Sequence, residues 1–162
     1  MIIISDTTPI ISLIKINRID LLEQLFQEVF IPEAVYNELT TISIFANEAE
    51  IVKNCTFIKT MSVQNYKSVT LLQAVSGLDD GESEAIILAD ELKPSALIID
   101  ERKGRKVAQQ LGLNITGTIG ILLQAYSEGK ITKDEVKLYL DNLKKNNIRL
   151  SDSLIQQTLA LL

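Results

Sequence analysis

The chain has 162 residues, 46% of them hydrophobic, and a formal net charge of −5; that length suits one domain with a substantial core, and the acidic balance excludes nucleic-acid binding driven by overall charge. It contains no histidine and one cysteine, Cys55, which excludes Ser–His–Asp and Cys–His catalysis, zinc cages of His or thiolate, and an intrachain disulfide. Any metal must be held by oxygen, the preference of Mg²⁺ or Mn²⁺, and acid–base chemistry falls to Asp, Glu, Lys or Tyr. No apolar run reaches the ~18 residues of a membrane span, and "MIII" is too short for a signal-peptide core. The expectation is a soluble, cytoplasmic protein without a membrane partner.

In chain order, "IIIS" reads as a first strand closing on Asp6. "RIDLLEQLF" places Ile19, Leu22, Leu25 and Phe26 on one helix face. "EVFIP" reads as a second strand, and "PEAVYNEL" as a helix with Pro32 at its first position. "TFIKTM" is a third strand. "DDGESEAIILADEL" is a helix capped by Asp79 or Asp80. "SALIID" is a fourth strand, "ERKGRKVAQQLG" a helix stopped at Gly112, and "LNITG" a fifth strand. From Thr118 onward the pattern holds two or three helices and no strand, with Ser151 and Asp152 opening the last. Short apolar strands alternating with helices predict an α/β protein: a central parallel β-sheet flanked by α-helices, with a helical C-terminal third.

Parallel sheets bind ligands beyond the C-terminal strand ends, where the strand order reverses. Acids collect at such places here: Asp6 after strand one, Asp100 and Glu101 after strand four, Glu38 on the helix after strand two, and Glu82 and Glu84 at the start of another helix. Each has a plain structural reading. Asp6 can bond the Thr8 amide in a turn, Glu38 can be a solvated helix residue, Asp100 can cap the next helix, and Glu82 and Glu84 can complement a helix dipole. Helix phase turns Glu82 toward the arc of Ala85, Ile86 and Ala89 and leaves Glu84 near its edge. Strands one and four are neighbours in many doubly wound sheets, which would bring Asp6 and Asp100 to one crevice. Converging carboxylates repel unless protonated or bridged by cations. No glycine-rich turn follows strand one, which argues against a nucleotide-binding P-loop.

Four segments carry a likeness: "IIISDTTPIISLIKINRIDLLEQLF", "VFIPEAVYNEL", "LDDGESEAIILA" and "LIIDERKGRKVAQQLGLNITGTIGILL". In this order they resemble the PIN-domain family, in a prokaryotic branch related to the toxin ribonucleases of toxin–antitoxin modules. The resemblance spans residues 2 to about 125. It implies a single PIN-like nuclease domain over 1–162, with a core at about 2–125 and C-terminal helices at about 118–162. It further implies hydrolysis of RNA at a Mg²⁺ or Mn²⁺ site held by acids. On this likeness Asp6, Glu38, Glu82 and Asp100 are the catalytic acids. Asp6, Asp100 and Glu82 hold the metal, with Glu84 and Glu101 as alternates. Thr7 and Thr8 support Asp6 through their hydroxyls. The basic run Arg102, Lys103, Arg105 and Lys106 grips RNA phosphate, or else forms a solvated helix face. The family also implies a small antitoxin partner and a homodimer. The rival reading is a catalytically inactive PIN-like module that binds RNA or a protein partner.

Overall fold

In a computed structural model, residues 1–162 are described, the side chain of Ser43 excepted. The five strands expected from the sequence form: β1 (Ile3–Ser5), β2 (Val29–Pro32), β3 (Ile58–Met61), β4 (Ala96–Ile98) and β5 (Ile115–Thr116). All pair in parallel, in the order β3-β2-β1-β4-β5. The chain builds outward from β1 to β2 and β3, then returns to lay β4 against the other side of β1. That reversal opens a crevice between the C-terminal ends of β1 and β4, the place where such sheets admit ligands.

The central strand is apolar because it is covered on both faces. Successive residues alternate sides. Ile3 and Ile98 join the core of one face, while Ile4, Leu97 and Ile99 join that of the other. On the first face lie α1 (Thr7–Lys15), α2 (Asp20–Phe26), α8 (Thr118–Ser127) and α9 (Lys133–Lys145), through residues such as Ile10, Leu22, Ile121 and Leu140. On the second lie α6 (Asp80–Leu92) and α7 (Arg102–Gln110), through Ala85, Ile86, Ala89 and Ala108. The C-terminal helices thus share a core with β1. Arg18 ties the two ends of that face together, donating to the Tyr139 hydroxyl at 2.5 Å.

Local signals explain most element boundaries. Asp79 caps α6 in a reciprocal box: its carboxylate accepts from the Glu82 amide at 2.8 Å, and the Glu82 carboxylate accepts from the Asp79 amide at 3.1 Å. Ser151 caps α10 (Asp152–Ala160) by accepting from the Leu154 amide, as its position predicts. Gly112 follows the end of α7 at φ +75°, the left-handed conformation that glycine adopts without cost. Two details differ. Pro32 ends β2 and serves as the N-cap of α3 (Glu33–Thr41) rather than as its first residue. The sequence reading also did not identify α1, α4 (Ala46–Asn54) and α5 (Tyr66–Ser76). The α1 segment, "TTPIISLIK", is rich in β-branched residues and carries a proline, so propensity argues against a helix that packing nevertheless stabilises. The last helix packs on its own chain through Leu159 and Leu162, while Leu154 and Leu161 remain exposed. Among the described residues no helix is long and apolar enough to cross a membrane.

Ile4 pairs with both Phe30 and Leu97 and is fully buried. Ile4→Ala is expected to cost about 2–5 kcal/mol, because a cavity opens where the sheet cannot collapse. Urea unfolding followed by circular dichroism measures this, and a loss below about 1 kcal/mol would contradict the placement of β1 at the centre.

Candidate active site

The crevice begins at Asp6. Its backbone amide donates to the Ile98 carbonyl at 2.9 Å, which fastens the end of β1 to the end of β4. The residue is 3% exposed. It occupies the N-cap position of α1, yet its side chain makes no capping bond, so the turn-residue reading does not describe it. Burial pushes its carboxyl up to about 8 from the ordinary 3.8, partly offset by the neighbouring Thr7 amide and reinforced by the charges of Glu82, Asp79 and Glu38.

Two elements bring those acids, α3 and the start of α6. From α3, Glu38 reaches the start of α1 and accepts a hydrogen bond from the Thr7 hydroxyl at 2.8 Å. Burial raises its carboxyl above the usual range, with Thr7 opposing and Asp79 and Asp80 adding to the rise. Glu82 is half-buried in the α6 capping box; its carboxyl is raised by burial first, and then by Asp79, Glu101 and Glu38. Gly81 permits this approach: a Cβ there would sit 2.9 Å from the Glu38 carboxylate and 3.5 Å from the Thr7 hydroxyl. None of the ion pairs found among the described residues involves Asp6, Glu38 or Glu82.

The remaining expected residues are distributed differently. Helix phase set Glu82 on the buried arc and Glu84 at its edge, but Glu84 is the more buried, at 5% exposure. It turns away from Asp6, toward the Ala34 amide at 3.4 Å and the Tyr66 hydroxyl at 3.5 Å. The cause is that α6 is enclosed almost all round, Ser83 through Ala89 being buried, so an apolar arc cannot discriminate. Glu101, not Asp100, caps α7 by accepting from the Gly104 amide at 2.8 Å. Asp100 faces α8, where both its oxygens are engaged by Thr118, from the amide at 2.7 Å and the hydroxyl at 2.5 Å. Thr7 supports Glu38 through its hydroxyl rather than Asp6, and Thr8 is exposed. Arg105 is half-buried and donates to the Ile99 carbonyl at 2.8 Å, while Arg102, Lys103 and Lys106 are exposed.

Two residues near these acids escaped the sequence reading. Asp79 was weighed only as a helix cap, although its charge acts on Asp6 and Glu38. Thr118 was seen only as the start of the helical third, although it holds Asp100. The Asp79–Asp80 doublet before "GESE" was a signal for the first. For Thr118 the sequence held no signal; in the structure the preceding Gly117 leaves room for the Asp100 carboxylate, which a Cβ there would approach to 2.6 Å.

The donor chemistry fits a hard divalent cation: oxygen donors throughout, and a central carboxyl that burial and its acidic neighbours push toward the neutral form. As they stand, no three acids among the described residues are spaced to hold an ion. A family model described as a PIN domain matches residues 2–162, the C-terminal helices included. No curated protein matches the chain.

Asp6 carries a pH consequence. Between pH 3.8 and about 8 the folded state binds more protons at this site than the unfolded state does. Stability without metal therefore falls as pH rises through that window and levels off above it. Asp6→Asn is expected to stabilise the metal-free protein at pH 8 by at least about 1 kcal/mol, with the advantage shrinking toward pH 4. Urea midpoints at the two pH values measure this, and a variant no more stable than wild type at pH 8 would contradict the burial of an unpaired acid.

Proposed function

The chain belongs to the PIN-domain family, and on that premise we propose that it is a metal-dependent ribonuclease that hydrolyses RNA phosphodiester bonds in the β1–β4 crevice. The observation that carries this reading is Asp6, a carboxyl buried at the switch point of the sheet with no basic side chain paired to it among the described residues, and faced by Glu38, Glu82 and Asp79. Families of this kind are generally nucleases that use divalent metals.

In this reading Asp6, Glu82 and Asp100 hold a Mg²⁺ or Mn²⁺ ion, and Glu38 orients the attacking water or holds a second ion. The ion supplies a more acidic water and neutralises charge that develops on the phosphate. The protein supplies the rest. Thr7 fixes Glu38 from behind, and Thr118 fixes the direction of Asp100. The capping box ties Glu82 to the first turn of α6. Arg102, Lys103 and Lys106 offer exposed positive charge beside the fourth strand for RNA phosphates, while Arg105 braces the turn after β4. Glu82 is preferred to Glu84 because its charge acts on Asp6, whereas Glu84 faces α3 and α5. Cytoplasmic residence, a homodimer and a small antitoxin partner belong to the same reading through the family's toxin members.

The direct test is cleavage of labelled single-stranded RNA in Mn²⁺ by wild type and by Asp6→Asn. The expected loss is about 10²-fold or more, and equal cleavage by both proteins would sink the reading. Calorimetric titration with Mn²⁺ is expected to show binding to wild type and not to Asp6→Asn. A protein that binds RNA but neither binds Mn²⁺ nor cleaves the RNA would instead be the inactive binding module. Gly81→Ala tests Glu38 separately. The new methyl group displaces the flexible end of Glu38 from Thr7, so activity is expected to fall about tenfold or more with stability changed by less than about 1 kcal/mol.

A further inference from the structure

A groove of about 490 Å³ lies between α5 and α7, and none of the acids around Asp6 lines it. Its walls are apolar: Leu72 and Val75 on one side, Val107 and Leu111 on the other. Leu72 and Val107 are half-buried and pack on the core of the second face. Val75 is 83% exposed and Leu111 45%. Along α5, Leu71, Ala74 and Val75 stand at i, i+3 and i+4 and all face solvent, so this helix carries an apolar stripe that its own fold leaves uncovered. Lys103 and Lys106 complete the lining. Neither helix contains an acidic residue, and together they carry Lys67, Arg102, Lys103, Arg105 and Lys106, in a chain whose formal net charge is −5. None of these cations enters an ion pair found among the described residues.

We propose that this groove docks an amphipathic helix of a protein partner. The apolar face of that helix seats between α5 and α7, and Asp or Glu on its flanks pair with Lys103 and Lys106. A hydrophobic groove is closed by a helix that lays apolar side chains into it at i, i+3, i+4 and i+7. The charge of the occupant follows from the rim, where only cations stand. RNA phosphate satisfies the two lysines, but the aliphatic walls offer a base neither a stacking ring nor a hydrogen bond. A flat bilayer surface reaches Val75 but not the half-buried Leu72 and Val107. A second copy pairing through the same face sets lysine against lysine. The docking surface stands whether or not the chain cleaves RNA.

The probe is a displayed library of helices of about 14 residues, with leucine fixed at i, i+3, i+4 and i+7 and the polar positions randomised, selected against the full-length protein. Because the chain is acidic overall, non-specific attraction enriches lysine and arginine. The selected helices are instead expected to be enriched in aspartate and glutamate. They are expected to bind Val75→Gln/Leu111→Gln about tenfold or more weakly than wild type, and Lys103→Gln/Lys106→Gln likewise, with circular dichroism showing the fold retained. Binders without acidic enrichment, binders that either double variant holds as tightly as wild type, or no binders at all overturn the proposal. Three further assays compare wild type with Val75→Gln/Leu111→Gln: dimerisation by light scattering, sedimentation with phosphatidylglycerol vesicles, and binding of single-stranded RNA without metal. A loss in any of them assigns the groove to that occupant and overturns the partner helix. Unchanged behaviour in all three, beside acidic binders lost in both variants, supports it.

Discussion

Asp6 is an acid held out of water with no lysine or arginine paired to it among the described residues, and the surrounding site is shaped by that fact. Its backbone closes the junction of β1 and β4 through the Ile98 carbonyl, so it cannot leave the crevice without opening the sheet. Its side chain is 3% exposed and is met by further negative charge from α3 and α6. A buried carboxyl in such company lowers its own charge by keeping its proton, or is relieved by a cation. The fold thereby spends stability on a site of concentrated negative charge, which is the expected signature of a place built for chemistry rather than for packing.

Helix α6 shows how one element assigns different tasks to similar residues. Asp79 caps the helix, Glu82 completes the capping box and faces the crevice, and Glu84 turns toward α3 and α5. The separation follows from helix geometry, since two residues are about 200° apart around the axis. Gly81 keeps the first turn close to Glu38 and Thr7 by presenting no side chain. The same few residues thus stabilise the helix end and place acids in two neighbouring concavities. A substitution at this turn would affect both, so stability and activity need to be measured together there.

The strands were legible because β-branched and apolar residues recur in short runs bounded by turn residues, and because both faces of the sheet are covered. The helices α1, α4 and α5 were not: α1 places Ile10, Leu13 and Ile14 at helical spacing, but among β-branched residues and a proline that argue for extended chain, while α4 and α5 bury few apolar residues of their own. Among the acids, position at a strand end pointed to Asp6 and to the Asp100–Glu101 pair. Which of that pair caps α7 was not readable, because adjacent residues differ only in the direction the chain takes after β4. The ranking of Glu82 and Glu84 by helix phase failed on burial for a related reason. Phase separates a wet face from a dry one, and α6 is dry on nearly every side.

The sequence by itself determined what chemistry is open to this protein: without histidine, and with a lone cysteine, a metal is left with oxygen ligands and acid–base work with Asp, Glu, Lys or Tyr. It also determined the alternation of strands and helices that leads to a parallel sheet, because hydrophobic periodicity is a local property. The tertiary structure alone decided how the acids divide. Thr7 reaches Glu38 across 31 positions and Thr118 reaches Asp100 across 18, and no local pattern encodes such pairings. It also decided the protonation of Asp6, since a carboxyl's affinity for its proton depends on how much water is excluded and which charges stand near, and both are set by residues far away along the chain.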